Sequence, residues 1–164
     1  MDVSQEAEML RNVPLFNGLS ASELKLLAFT SEVHSFAPGD TLMRQGDPAD
    51  CAYVILEGDA EVLARTPAGE FVVATLGPNA MPGEIGILTD APRSATVRAK
   101  SRVRALRISP DVFLRLASGR PERALHVMRQ LSAHIAKDLH TLAALKEELS
   151  KAQAAAAAVQ NAPR

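Results

Sequence analysis

Several classes of function are excluded by what this sequence lacks. It holds one cysteine, Cys51, in 164 residues. That count rules out an internal disulfide framework and suits a reducing compartment. No nucleophile elbow, no metalloprotease helix and no P-loop lysine is present, so an enzymatic role has no motif behind it. His34, His126, His134 and His140 show no metal-ligand spacing, and no metal or cofactor is expected. Charge of one sign is not in excess: 18 Lys and Arg face 19 Asp and Glu, a net of -1. No global field therefore draws the chain to nucleic acid or to an acidic membrane. No apolar run approaches a membrane span. The opening Met1 to Asn12 is acidic and lacks the basic-then-apolar order of a signal peptide. The expected location is the cytoplasm, with no membrane contact.

What is present is an ordinary globular mixture, 47% hydrophobic and 23% charged, long enough for one domain with a real core. Residues 1–31 read as helical, anchored by Leu10, Val13, Leu24 and Leu27, with Ser20 and Glu23 as a capping box. Residues 32–108 read as β. Apolar stretches such as 52–56, 60–63 and 71–74 alternate with turn signals at Pro38-Gly39-Asp40, Gly46-Asp47-Pro48, Glu57-Gly58-Asp59, Pro67-Ala68-Gly69 and Gly77-Pro78-Asn79. That spacing predicts a sandwich or barrel of antiparallel strands. Residues 109–151 are helical again. Ser109 and Pro110 open a short helix that Gly119 ends, and Pro121 opens a long one. The alanine-rich stretch 152–164 has no bulky anchor and is read as a frayed or flexible tail.

The segment with chemistry is 81–97, Met-Pro-Gly-Glu-Ile-Gly-Ile-Leu-Thr-Asp-Ala-Pro-Arg-Ser-Ala-Thr-Val. Gly83 and Gly86 flank a stretch able to make one helical turn, and glycine lets backbone approach a ligand closely. Free amides at such a turn favour an anion. Arg93 follows on a loop, and its planar fork matches two phosphate oxygens. Glu84 repels phosphate, and its presence makes sense where the ligand also offers a hydroxyl donor.

This segment resembles the phosphate-binding cassette of the cyclic nucleotide-binding domain family. Its members include the bacterial catabolite activator protein, the regulatory subunits of protein kinase A and cyclic nucleotide-gated channels. The matching residues are Gly83-Glu84-Ile85-Gly86-Ile87-Leu88 and Pro92-Arg93-Ser94-Ala95-Thr96. Pro14-Leu15-Phe16, Gly18-Leu19-Ser20, Pro38-Gly39, Gln45-Gly46-Asp47 and Tyr53 to Gly58 resemble the family's spacing elsewhere, so the likeness spans 13 to about 145. The resemblance implies a mainly β, α+β fold: a jelly-roll-like antiparallel β-roll of about eight strands, with helices before it and a long helix after it.

It also implies roles. Arg93 would grip the cyclic phosphate and Glu84 would accept the ribose 2′-OH. Gly83, the amides of Ile85 and Gly86, and the Ser94-Ala95 pair would complete the cradle. Asp50 would support Arg93 from behind, Val73 would line the base, and Leu142 would cover it by apolar contact. Pro82 and Gly86 depart from the usual pattern, the first stiffening the approach to the cassette and the second loosening its turn. The implied ligand is cyclic AMP, with cyclic GMP as a second candidate because Ser94 follows Arg93.

Plainer readings stand beside these. Glu84 and Arg93 can form a surface ion pair, Asp40, Asp47 and Asp50 are common turn residues, and Cys51 is a small buried hydrophobe. Arg98, Lys100, Arg102 and Arg104 read as a solvated sheet face broken by a turn at Lys100-Ser101. The long helix carries Leu125, Met128, Ser132, Ile135, Leu139, Leu142, Lys146 and Leu149 at spacings of three and four, a heptad stripe suited to a homodimer or a protein effector. No recognition-helix unit follows it, so direct DNA binding is not expected. Two alternatives stay open: an interaction module that keeps the fold without the ligand, and a regulatory piece of a larger effector.

Overall fold

The computed structural model describes residues 2–119 and 121–161; the side chains of Ile85, Ala117, Pro121 and Arg123 lie outside that description. The chain opens with helix α1 (Val3–Arg11), a 3-10 turn at Pro14–Phe16 and helix α2 (Ala21–Thr30). Capping boxes start both helices, Ser20 with Glu23 as the sequence indicates and Asp2 with Gln5 in addition. Leu10, Val13, Leu24 and Leu27, the anchors expected from the sequence, are all buried.

Seven strands follow among the described residues: β1 (Glu32–Phe36), β2 (Thr41–Met43), β3 (Ala52–Glu57), β4 (Ala60–Thr66), β5 (Gly69–Leu76), β6 (Thr96–Ala99) and β7 (Val103–Ile108). They form two antiparallel sheets, β1-β7-β3 and β2-β6-β4-β5. Helix α3 (Glu84–Thr89) lies between β5 and β6. The sequence suggests about eight strands. The segment at 79–82 does run beside β3, through Asn79 N–H to Ile55 O, Ile55 N–H to Ala80 O and Tyr53 N–H to Pro82 O. Ala80 N–H is turned back to Gly77 O at 3.1 Å and Pro82 has no N–H to return, so this contact does not become a ladder.

Strand β3 explains its own unbroken apolar run. Successive side chains point to opposite faces. Ala52, Val54 and Leu56 join Leu10, Leu24, Leu27, Leu106, Ile108 and Phe113 in a core beneath the helices, while Tyr53 and Ile55 join Leu42, Val97, Ala99, Val103 and Ala105 inside the roll. Each buried aliphatic side chain contributes about 1.5–3 kcal/mol. Truncating Leu106 to alanine at the centre of this arrangement should cost roughly 2–5 kcal/mol. The cassette therefore hangs from a strand held on both sides.

Strand β6 ends at Ala99 and β7 begins at Val103, so the basic stripe is interrupted at Lys100-Ser101. Arg98 lies 3.5 Å from Glu61 and 3.7 Å from Glu70, and Arg104 lies 2.9 Å from Glu57. These are paired surface charges. Helix α4 (Pro110–Ser118) starts on Ser109, whose hydroxyl accepts from Val112 N–H.

The chain divides into two compact units at residues 124 and 125. The second is helix α5 (Pro121–Gln160) beyond its first turn. This helix continues nine residues past Lys151, where the sequence suggests fraying, because a run of alanines carries the highest helix propensity. The last three residues of that predicted tail lie outside the described residues. Leu125, Met128, Ile135, Leu139, Leu142 and Leu149 are exposed along α5. The Lys151–Glu147 ion pair and a His134 Nε2–Asp138 Oδ2 contact at 3.5 Å brace it at i, i+4 spacing.

Candidate functional site

The site is built where 82–96 folds back onto 43–51. The lead-in at 79–82 is fastened to β3 by the three backbone hydrogen bonds above. Gly83 then turns the chain into α3 with a left-handed φ of 99°, a conformation that costs a residue with a side chain. Glu84 is the first residue of α3 and is half-buried. The helix closes at Asp90, also left-handed, and a loop carries the chain to Arg93 and β6.

Arg93 is fixed twice over. Its backbone is held by Asp47 and Gly46: Arg93 N–H donates to Asp47 O, and Gly46 N–H donates to Arg93 O, both at 2.8 Å. Its side chain is 3% exposed. The guanidinium donates to Gly83 O at 3.1 Å and to Cys51 O, with Cys51 Sγ 3.6 Å away. Its carboxylate neighbour is Asp50, with Oδ1 3.5 Å from Nη2 and a side chain 73% exposed. A planar fork with five donors spends two on these carbonyls and turns one toward Asp50. The remainder suit an anion.

A buried cation is costly without a counter-charge close by. Asp50 supplies this only in part. It is open to solvent and stands between two arginines, with Arg107 Nη2 4.0 Å from its Oδ2. Arg93 is therefore a buried cation only partly countered by Asp50, and Glu84 opens α3 directly after Gly83.

Both cassette glycines admit protein atoms. A Cβ on Gly83 would lie 2.7 Å from Arg93 Nη1 and 3.1 Å from Met43 Cε. A Cβ on Gly86 would lie 2.8 Å from Ala49 Cβ. Gly83 lets the guanidinium slide beneath the start of α3, and Gly86 lets α3 sit directly on the 44–51 segment.

The other residues singled out from the sequence fall as follows. Ser94 is exposed and Ala95 half-buried, immediately after Arg93. Val73 is on β5 and 41% exposed. The backbone of Ile85 is in α3, and its side chain lies outside the described residues. Leu142 belongs to the second compact unit and is 62% exposed. Thus Gly83, Glu84, Gly86, Arg93, Ser94, Ala95 and Asp50 gather in one place. Sequence reasoning treated Cys51 as core alone and passed over Ala49 and Met43. Cys51 is indeed buried, but its carbonyl and thiol both face Arg93. Position next to Asp50 was the available signal.

Burial, with the negative charge of Asp50 behind it, pushes the Cys51 thiol above its ordinary value despite Arg107 and Arg93. The thiol is therefore protonated at neutral pH and is a poor nucleophile. Burial, then the neighbouring Cys51, pushes the Tyr53 phenol up to about 12. Tyr53 packs edge-on to Phe36 and His34 inside the roll. Among the described residues no three His, Cys, Asp or Glu gather to hold a metal ion, and no helix is long and apolar enough to cross a membrane.

A family model for the cyclic nucleotide-binding domain matches residues 33–120. A cAMP-dependent protein kinase regulatory subunit from Mycosarcoma maydis is 36% identical over 114 residues, which are 66% of this chain and 22% of that protein. A CRP-like cAMP-activated global transcriptional regulator from Mycobacterium tuberculosis is 28% identical over 139 residues, covering 84% of this chain and 62% of that protein. The chain therefore spans under two thirds of either relative. The crystal structure of the N-terminal domain of a transcriptional regulator from Streptomyces coelicolor superposes with a TM-score of 0.66 at 31% identity, covering 79% of this chain and 94% of that one.

Proposed function

The chain belongs to the cyclic nucleotide-binding domain family, and we propose that it is a cyclic AMP receptor that passes ligand occupancy to a partner through α5. The observation that carries this reading is Arg93, a buried cation fixed by Cys51 and Gly83 carbonyls, with Asp50, an exposed carboxylate, 3.5 Å away. A cyclic phosphate would supply the missing charge through a short, charge-assisted fork. The amides of Ile85 and Gly86 and the Ser94-Ala95 backbone would share its oxygens. Glu84 would accept the ribose 2′-OH. Val73 would line the base.

The reading is of a binding protein rather than an enzyme. The groups gathered here neutralise and hold charge, and the one thiol stays protonated. Its exchange partner would be a second copy of the chain or a protein effector, docked on the exposed Leu125, Met128, Ile135, Leu139 and Leu142 of α5. A cytoplasmic location fits a second-messenger receptor.

In this reading cyclic AMP is the preferred ligand and cyclic GMP the alternative, since Ser94 follows Arg93. Displacement of a fluorescent cyclic nucleotide by unlabelled cyclic AMP and cyclic GMP tests the choice. Tighter displacement by cyclic GMP would overturn the adenine preference.

A further inference from the structure

We propose that Ala49 is a positioning residue, whose methyl contact with Gly86 sets the spacing between α3 and Arg93. The inference rests on the reading of 81–97 as the phosphate site. Its basis is a direct approach of two segments distant in sequence. A Cβ on Gly86 would meet Ala49 Cβ at 2.8 Å, with Ala91 O at 3.4 Å and Arg93 Nη1 at 3.6 Å. Ordinary carbon contacts begin near 3.5 Å. Any side chain at 86 must therefore lift α3 by about 0.7 Å or displace Ala49.

Ala49 is not an isolated neighbour. It lies in the segment that clamps Arg93 at four points. Gly46 and Asp47 hold its backbone, and Asp50 and Cys51 hold its guanidinium. Lifting α3 off Ala49 thus moves Glu84 and the α3 amides away while Arg93 stays in place. The two halves of the ligand grip separate. The opposite change, a larger residue at 49, acts the same way from below. Gly86 is consequently a matched partner of Ala49, and the pair determines whether phosphate and 2′-OH are reached together.

The test is a cycle of Gly86→Ala, Ala49→Gly and the double variant, with Ala49→Val as an independent perturbation. Cyclic AMP affinity is measured by calorimetry, and backbone amide and Arg93 side-chain resonances are recorded without nucleotide. Gly86→Ala and Ala49→Val each weaken binding about tenfold or more, the loss expected for one hydrogen bond to a charged group. Gly86→Ala still folds and melts no more than several degrees lower, because the helix propensity of alanine offsets part of the cost of displacing Ala49. Adding Ala49→Gly to Gly86→Ala returns affinity to within about twofold of native, the tolerance for a restored pair. The resonances of 83–86 and Arg93 shift in Gly86→Ala and return in the double variant. Native affinity in Gly86→Ala with unshifted resonances, or a loss that Ala49→Gly leaves untouched, overturns the role of Ala49. A native chain that binds no cyclic AMP refutes the receptor reading, and the resonances still decide the seating.

Discussion

Replacing Arg93 by lysine separates a ligand-gripping role from a purely structural one. The native guanidinium serves Gly83 O and Cys51 O at once and keeps 3% exposure. Lysine preserves the charge but loses the planar fork and the fixed angle between donors. One of the two carbonyls then loses its donor, at about 1–3 kcal/mol. For a chain of this size 1 kcal/mol corresponds to about 2–4 °C in melting temperature, so the variant should melt several degrees lower and still fold. Binding should suffer separately. Loss of one hydrogen bond between charged partners costs about 1.5–3 kcal/mol, or roughly ten- to hundredfold in affinity. Alanine is the less informative change, because it orphans both carbonyls and opens a cavity as well. Calorimetric titration with cyclic AMP well below the melting temperature, with melts in parallel, reads the two effects independently. A lysine variant that melts lower but binds within about twofold of native would refute the argument. Arg93 would then be a strut between 46–51 and α3 and nothing more.

Other consequences can be checked in the same preparations. Glu84→Gln should narrow the discrimination between cyclic AMP and its 2′-deoxy analogue, since sites built for a hydroxyl reject ligands that lack it; equal affinity of the native chain for both ligands removes Glu84 from the 2′-OH. The Tyr53 phenol titrates at about 12 in the fold against 10.0 ordinarily. The folded chain thus keeps a proton the unfolded chain has lost. Its contribution is whole below the ordinary value and disappears as pH rises toward the folded one, with an upper bound of about 2–3 kcal/mol. Tyr53→Phe should flatten that part of an alkaline melting series, and an unchanged slope would exclude Tyr53 as its source. Saturation with cyclic AMP should raise hydrogen-exchange protection over residues 121–145, and unchanged protection would remove α5 from the relay. Sedimentation should show a dimer at high concentration; a monomer in both ligand states would leave the stripe of α5 to a different protein.

Legibility of the sequence followed the range of the interactions. Capping of α2 and α4 was readable because Ser20 with Glu23, and Ser109 with Pro110, act within one turn. The cassette was readable because 83–96 is contiguous. The double burial of β3 was foreshadowed by Tyr53-Val54-Ile55-Leu56, although the run does not say that helices cover one face and the roll the other. Less legible was everything that links the cassette to 43–51. Those contacts join residues some forty positions apart, and nothing local in Ala49 or Cys51 announces them. The glycines illustrate the limit best. A missing side chain reads locally as room for a turn or for a ligand, and only the fold shows Arg93 and Ala49 against that space. The strand-like segment at 79–82 stops short of a ladder because Ala80 N–H turns to Gly77 O and Pro82 has no N–H, and α5 runs on to Gln160 on alanine propensity alone.

The most direct measurement is a calorimetric titration of the native chain with cyclic AMP. The account predicts saturable binding with one site per chain, abolished or strongly weakened in the Arg93 variants. Absence of saturable binding by a folded native chain would contradict it.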